Sequence, residues 1–134
     1  MNKEYIDKLA YIEIKERKIL ETRSKGKDVW YIPGGKREVG ETDEQALVRE
    51  VKEELNVDIQ LNTISHYGTF EAQAHGKAEG VIVRVACYEA KYDGDPVPSA
   101  EIEELAWFDY ARKEETSVVN QLIFDDLKKK DLID

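Results

Sequence analysis

Residues 35–57, GKREVGETDEQALVREVKEELNV, contain a helix with clear boundaries. Thr42 is a good N-cap, and Gln45 three residues later completes a capping-box pattern. Apolar residues recur at every fourth position and form one stripe: Leu47, Val51 and Leu55. The pattern predicts a helix over residues 43–55, followed by Asn56, which tolerates the left-handed conformation.

Three carboxylates lie beside this apolar stripe. Successive helix residues are about 100° apart, so Glu50 and Glu54 lie one turn apart at the edge of the buried face, with Glu53 on the same side. Like charges at this spacing repel each other, and a fold does not need them there. A hard divalent cation would relieve the repulsion, because such ions prefer oxygen ligands. For the three glutamates alone, an ordinary solvated acidic helix face is the alternative.

The same stretch resembles the Nudix box, G-x5-E-x7-R-E-U-x-E-E-x-G-U, in which U is a bulky aliphatic residue. Every fixed position from Gly35 to Val57 matches except the last glycine, which is Asn56 in this chain. The run WYIPGG at residues 30–35 is also similar to the segment before that box. The resemblance is close over residues 35–57 and extends loosely over most of the chain.

Strand-like patterns on both sides of the helix predict a mixed α/β fold. They fall at residues 8–15, 18–22, 29–32, 57–61, 66–70, 81–90 and 105–108. A last helix is predicted after Thr116 as its cap, with an apolar stripe of Val119, Leu122, Ile123 and Leu127. The resemblance implies the same class: a Nudix-type α/β/α sandwich, with a central mixed β-sheet flanked by helices, as one domain over residues 1–134.

Resemblance to the Nudix family also implies an enzyme that acts on phosphoric anhydride bonds. Such an enzyme is a metal-dependent pyrophosphohydrolase that cleaves a nucleoside diphosphate linked to another moiety, with Mg²⁺ or Mn²⁺ as cofactor. Nucleoside triphosphates, including oxidised ones, are the default substrate. One alternative is a catalytically silent Nudix-fold regulator that binds nucleotides, and another is an interaction domain that uses the acidic helix as a contact face.

The resemblance assigns roles to residues of the box. Glu50, Glu53 and Glu54 would be metal ligands, together with a backbone carbonyl of Gly34, and Glu53 and Glu54 would be catalytic. The loop formed by Gly34 and Gly35 would bind substrate, because glycine lets the chain approach closely. Glu41 and Arg49 would support the site. Arg49 would hold Glu41 and one ligand glutamate in place, because arginine pairs with carboxylates through two hydrogen bonds.

A further catalytic glutamate is expected outside the box, ahead of a late strand. Its spacing to Trp107 favours Glu101, with Glu104 second and Glu71 as a further candidate. The two histidines, His66 and His75, are expected to be bystanders, although the loop at 75–77 could reach a phosphate. Three aromatic residues could stack on a base or belong to the core: Trp30, Tyr31 and Phe70.

Composition limits the partners. The chain has 134 residues, the usual length of a single domain. Its formal net charge of −9 repels nucleic acid polymers and anionic membranes. We therefore expect a small-molecule nucleotide as partner. The single Cys87 excludes an internal disulfide and a cysteine-based zinc site. No apolar leader opens the chain, so a cytoplasmic location is expected. The oligomeric state stays open, with a homodimer among the options.

Overall fold

The computed structural model describes residues 4–74 and 77–134. Its strands are β1 Glu4–Tyr11, β2 Ile14–Lys15, β3 Lys18–Ser24, β4 Trp30–Tyr31, β5 Gly34–Gly35, β6 Asp58–Ile59, β7 Ser65–Gln73, β8 Val81–Glu89, β9 Tyr92–Asp93 and β10 Ile102–Phe108. Its α-helices are α1 Asp43–Leu55 and α2 Val118–Lys129, and short 3₁₀ helices cover Leu61–Thr63 and Tyr110–Glu115.

The predicted mixed sheet is confirmed. Its strand order is β5-β1-β8-β7, in which β1 and β8 are parallel and the other neighbours are antiparallel. A second, antiparallel sheet has the order β10-β3-β2, with β4 paired to β3, and β6 and β9 form a short ribbon. Helices on the mixed sheet complete the α/β architecture.

Alternation along β1 shows how both faces of the mixed sheet are covered. Leu9 and Tyr11 pack in the cluster that contains the apolar stripe of α1. Ala10 and Ile12 pack in the cluster that contains the buried residues of α2. Successive strand residues point to opposite faces, so each helix buries one side of the sheet. This arrangement fixes α1 against the β1–β5 edge.

Two sequence-based expectations need correction. Gly34 and Gly35 are not a free loop: they pair with β1, because Pro33 ends the preceding run and the glycines fit beside the strand. The last helix is capped by Ser117 rather than Thr116, since the Ser117 side chain accepts the N–H of Asn120. The hydroxyl of Thr116 instead donates to a carbonyl of the preceding turn.

Two further differences concern strand and stripe boundaries. The first strand begins at Glu4 and ends at Tyr11, with Ile14 in a separate short strand. In α2, Leu122 is 40% exposed and Phe124 is buried in its place. Among the residues that the structure describes, no helix is both long enough and apolar enough to cross a membrane.

Candidate active site

Helix α1 is held firmly at both ends, and this fixes the acidic residues on it. Thr42 accepts the backbone N–H of Gln45, and the Gln45 side chain accepts the backbone N–H of Thr42, so the predicted capping box forms. Asn56 ends the helix at φ 56° and ψ 37°, in the predicted left-handed conformation. The predicted stripe of Leu47, Val51 and Leu55 is fully buried.

Glu54 lies at the contact between α1 and the glycine segment. Its side chain is buried, and its Oε1 accepts a 3.0 Å hydrogen bond from the backbone N–H of Gly34. The pKa of Glu54 is raised to about 8, chiefly by burial; the hydrogen bond from the Gly34 N–H opposes this rise, and the charges of Glu50, Glu101 and Glu53 contribute to it. The group is therefore a buried carboxyl among other carboxylates.

The two glycines are needed because both neighbours approach closely. A Cβ on Gly34 would lie 2.0 Å from the carbonyl oxygen of Leu9, and Gly34 adopts φ +151°. A Cβ on Gly35 would lie 2.7 Å from the carboxylate of Glu50. Any side chain here would push the strand away from β1 or displace Glu50.

Arg49 connects the segment after the glycines to the acidic helix. Its Nε and Nη2 donate to the two carboxylate oxygens of Glu41 at 2.7 and 2.8 Å. Its Nη1 donates to Glu50 at 2.9 Å, and its Nη2 also donates to the carbonyl of Lys36 at 3.0 Å. The hydrogen bonds from Arg49 and from the backbone N–H of Glu38 lower the pKa of Glu41 to about 2. Glu41 is thus ionised across the physiological range.

The remaining box glutamates differ in exposure. Glu53 has a half-exposed side chain whose Oε1 lies 3.6 Å from Nη1 of Arg49. Glu50 is more enclosed, and burial raises its pKa against the lowering effect of Arg49. The charges of Glu53 and Glu101 raise it as well. These carboxylates therefore act on one another electrostatically.

Glu101 is brought towards the helix by the segment that precedes it. The N–H of Val97 donates to the carbonyl of Leu55 at 2.9 Å, and the N–H of Ser99 donates to the carbonyl of Glu54 at 3.1 Å. These bonds satisfy carbonyls at the end of α1 that have no partner within the helix. They hold the backbone of residues 97–101 beside the acidic group.

The other two candidates outside the box are engaged elsewhere. Glu104 forms a close ion pair with Arg23, its register partner in β3. Glu71 lies on β7, with Oε1 3.5 Å from Nε of Arg84 on β8. Of the three candidates, Glu101 is the one whose charge acts on Glu50 and Glu54.

The donor set suits a hard divalent cation. It consists of Glu50 and Glu54, whose pKa values the neighbouring negative charges help to raise, together with Glu53 and Glu101, which carry two of those charges. Within residues 4–74 and 77–134, no three acidic, histidine or cysteine side chains already surround one point. Arg49 holds Glu50 aside, so the carboxylates would have to turn towards the ion. Oxygen donors with unrelieved repulsion fit Mg²⁺ or Mn²⁺ chemically.

A cleft adjoins the acidic group on the α2 side of the mixed sheet. Its volume is about 320 Å³, and its lining includes Lys8, Tyr31, Ile32, Gly34, Gly35, Glu54, Lys77 and Asn120. Asn120 is buried, and its Oδ1 accepts the N–H of Ile32 at 2.8 Å. The glycine segment and Glu54 therefore lie where the cleft meets the carboxylates.

The aromatic and histidine candidates lie in different parts of the structure. Tyr31 lines the cleft, whereas Trp30 is buried, with its ring centroid 5.0 Å from that of Phe108, and Phe70 packs against the core. His66 is exposed on β7, where Nε2 lies 3.0 Å from a threonine hydroxyl oxygen. His75 lies outside the described residues.

Two lining residues were missed by sequence reasoning. Lys8 shares a strand face with Ala10 and Ile12, so a charge interrupts an apolar face, and this break in alternation was a usable signal. Asn120 gave no signal, because its partner, Ile32, lies in a distant segment.

The family follows from comparison with known proteins. The NUDIX domain model matches residues 10–122, which is most of the chain. This chain belongs to the Nudix family. Its Nudix box is the glycine segment and α1, described above.

Solved structures share the Nudix fold. The solution structure of the E. coli ORF135 protein is 22% identical, with a TM-score of 0.73, over 96% of this chain and 94% of that one. A MutT NUDIX hydrolase from Burkholderia pseudomallei is 19% identical, with a TM-score of 0.75, over 92% and 98% of the two chains. At these identities the likeness shows the fold.

A curated relative is similar over the box region. An 8-oxo-dGTP diphosphatase of Proteus vulgaris is 49% identical over 41 residues, which cover 28% of this chain and 37% of that protein. The match thus spans little more than a third of the relative's length.

Proposed function

We propose that this Nudix protein is a metal-dependent pyrophosphohydrolase. It would cleave the phosphoric anhydride bond of a nucleoside diphosphate linked to another moiety, with a nucleoside triphosphate as the substrate. The observation that carries the proposal is the buried Glu54, hydrogen-bonded to Gly34 where the cleft meets the acidic group. A solvated acidic face would not bury a carboxylate at a cleft, because desolvating an unpaired charge is costly.

The metal ligands in this proposal are Glu50, Glu53 and Glu54, with the backbone carbonyl of Gly34. Bound Mg²⁺ or Mn²⁺ supplies a water of lowered pKa and an electrophile for phosphoryl oxygens. The helix presents its carboxylates from one rigid surface, and the hydrogen bond from Gly34 keeps Glu54 oriented.

Supporting residues position this set. Arg49 is a positioning residue, because it orients Glu50 and is itself fixed by two bonds to Glu41. Gly34 and Gly35 let substrate approach the backbone at the cleft. Glu101 is the proposed proton acceptor from outside the box, since its charge acts on the other carboxylates.

The substrate proposal rests on the cleft and on the curated relative. A cavity of about 320 Å³ is within the range of small-molecule sites. The name of the Proteus vulgaris relative favours oxidised purine nucleoside triphosphates among the candidates. The cytoplasmic location and the single domain over residues 1–134 stay predictions of the sequence.

A substrate panel tests the function. The purified chain is incubated with Mg²⁺ or Mn²⁺ and with (d)NTPs, 8-oxo-dGTP, sugar nucleotides and dinucleoside polyphosphates, and released pyrophosphate, phosphate and nucleoside monophosphate are measured. We expect metal-dependent release that is strongest with a triphosphate. Tight nucleotide binding without any release would instead support the catalytically silent regulator.

A further inference from the structure

Lys8 is a partly buried cation inside the cleft. It lies on the same face of β1 as Ile6 and Ala10, next to Val85 of β8, its register partner. Its Nζ is 6.0 Å from the ring centroid of Tyr31, at the outer limit of a cation–π contact. Across residues 4–74 and 77–134, no carboxylate lies within ion-pair distance of this ammonium group.

A second lysine lies near it. Leu9 pairs with Gly35 and Ala10 with Gly34, and Lys8 and Lys36 are the next residues of the two segments, just beyond the last pair. Like charges at neighbouring positions are destabilising. Burial and the charge of Lys36 lower the pKa of Lys8.

This pair is unusual because the chain as a whole is strongly acidic, at −9. The neighbouring arginines form ion pairs with carboxylates: Arg49 binds Glu41, and Arg37 binds Asp43 at 2.7 Å. Within the described parts of the chain neither Lys8 nor Lys36 forms such an ion pair, and two neighbouring lysines repel each other unless an anion binds between them. The cleft that Lys8 lines is also bordered by Glu54, so this anion would lie beside the proposed metal site.

We propose that Lys8 and Lys36 bind phosphate oxygens of the substrate and so favour nucleoside triphosphates over nucleoside diphosphate sugars. The inference rests on the proposed function, because it supposes a nucleotide in this cleft. A triphosphate ends in a free phosphate of higher charge, which two cations bind more tightly than a phosphate esterified to a neutral sugar. Lys8 is therefore a substrate-binding residue that determines specificity.

The test is equilibrium binding with non-hydrolysable ligands in Mg²⁺. Calorimetry measures the Kd of an α,β-methylene deoxyguanosine triphosphate and of a methylene-bridged diphosphate sugar, and NMR titration measures that of deoxyguanosine. The variants are Lys8→Met, Lys8→Arg, Lys36→Met and, as a matched control, Lys91→Met at an exposed position beyond β8.

We expect Lys8→Met to weaken triphosphate binding about tenfold or more, which corresponds to the loss of one charge-assisted hydrogen bond. Lys36→Met should also weaken it, Lys8→Arg should largely restore it, and Lys91→Met should leave it unchanged. Binding of deoxyguanosine should be the same in all four variants, and the diphosphate sugar should lose less than the triphosphate.

Unchanged triphosphate binding in both methionine variants would overturn the inference. Equal weakening of triphosphate and deoxyguanosine would overturn it too, because Lys8 would then contact the base. Thermal melts confirm folding, which should be preserved because Lys8→Met and Lys36→Met each remove the repulsion between these two lysines. Absence of hydrolysis by the wild type would reject the proposed function alone, since the binding comparison stays readable.

Discussion

The carboxylate of Glu54 and the backbone N–H of Gly34, twenty residues apart in the chain, are joined by a 3.0 Å hydrogen bond. The bond ties the glycine segment on the β1 edge to the last turns of α1. It also explains how a buried acidic side chain is tolerated there, because the N–H partly offsets the cost of burial. The site is thus built by contact between segments.

Arg49→Lys should reduce hydrolysis at least tenfold with little loss of stability. Lysine keeps the charge but cannot make the two parallel bonds to Glu41 while also reaching Glu50. The kcat/KM of Arg49→Lys and of the wild type is measured with Mg²⁺, and thermal melts compare their stability. Arg112→Lys is the control, since Arg112 makes similar bonds to Glu115 on the surface. If Arg49→Lys is as active as Arg112→Lys, Arg49 does not position the catalytic residues.

Divalent metal should stabilise the wild type and not Glu54→Gln. A ligand present at a hundredfold excess over its Kd adds about 2.7 kcal/mol to the free energy of unfolding, which amounts to several degrees in Tm. Glutamine preserves the volume and an acceptor for Gly34, so the variant should fold normally. Thermal melts with and without millimolar Mn²⁺ measure the difference. Glu44→Gln, an exposed residue in the first turn of the same helix, is the control and should respond as the wild type does.

Glu21 should make the protein less stable as pH rises. Its side chain is fully buried on β3, and neither carboxylate oxygen has a hydrogen-bond partner in the described structure. Burial raises its pKa well above the usual range. The folded state therefore holds this proton more tightly than the unfolded chain, in which glutamate titrates near about 4.3. The free energy of unfolding should fall as pH rises above that value.

Glu21→Val should remove this loss and stabilise the protein by about 1–3 kcal/mol at neutral pH, because an unpaired buried carboxyl is replaced by an apolar strand former. Urea unfolding between pH 5 and 8 measures it. Glu89→Val, at an exposed position of β8, should change stability by less than about 0.5 kcal/mol. If Glu21→Val is no more stable than the wild type, the carboxyl has a partner in solution.

Asn56→Gly should change stability by less than about 1 kcal/mol and keep activity. Asn56 adopts φ 56°, which glycine reaches without strain at the cost of a more flexible unfolded chain. Asn56→Val should be clearly less stable, because a β-branched residue is strained at positive φ. Thermal melts of the two variants test the conformation of Asn56. If valine is tolerated as well as glycine, the helix ends differently in solution.

Local signals in the sequence predicted the fold well. Thr42, Gln45 and Asn56 define α1 through capping chemistry that acts within a few residues, and the structure has these caps. The sequence-based prediction placed the cap of α2 one residue too early, because threonine and serine both cap helices and Thr116 and Ser117 are adjacent. Tertiary contacts decide between them: Thr116 is buried and bonds back to the preceding turn.

Contacts between distant segments could not be predicted in the same way. The pairing of Gly34 and Gly35 with β1 depends on strand register, which a single sequence does not specify. The cleft residue Asn120 depends on where α2 meets residue 32. The spacing to Trp107 already favours Glu101 over Glu104, but the backbone bonds of Val97 and Ser99 to the end of α1 depend on the folded chain.

Product formation followed by ³¹P NMR tests whether this chain hydrolyses nucleotides through Glu54. Wild type and Glu54→Gln are incubated with Mg²⁺ or with Mn²⁺ and the nucleoside triphosphate that gives the strongest signal in the panel, and products are identified in the same tube. We expect nucleoside monophosphate and pyrophosphate from the wild type, with the rate reduced by orders of magnitude in Glu54→Gln. Equal rates in the two proteins, or no cleavage by the wild type with either metal, would contradict it.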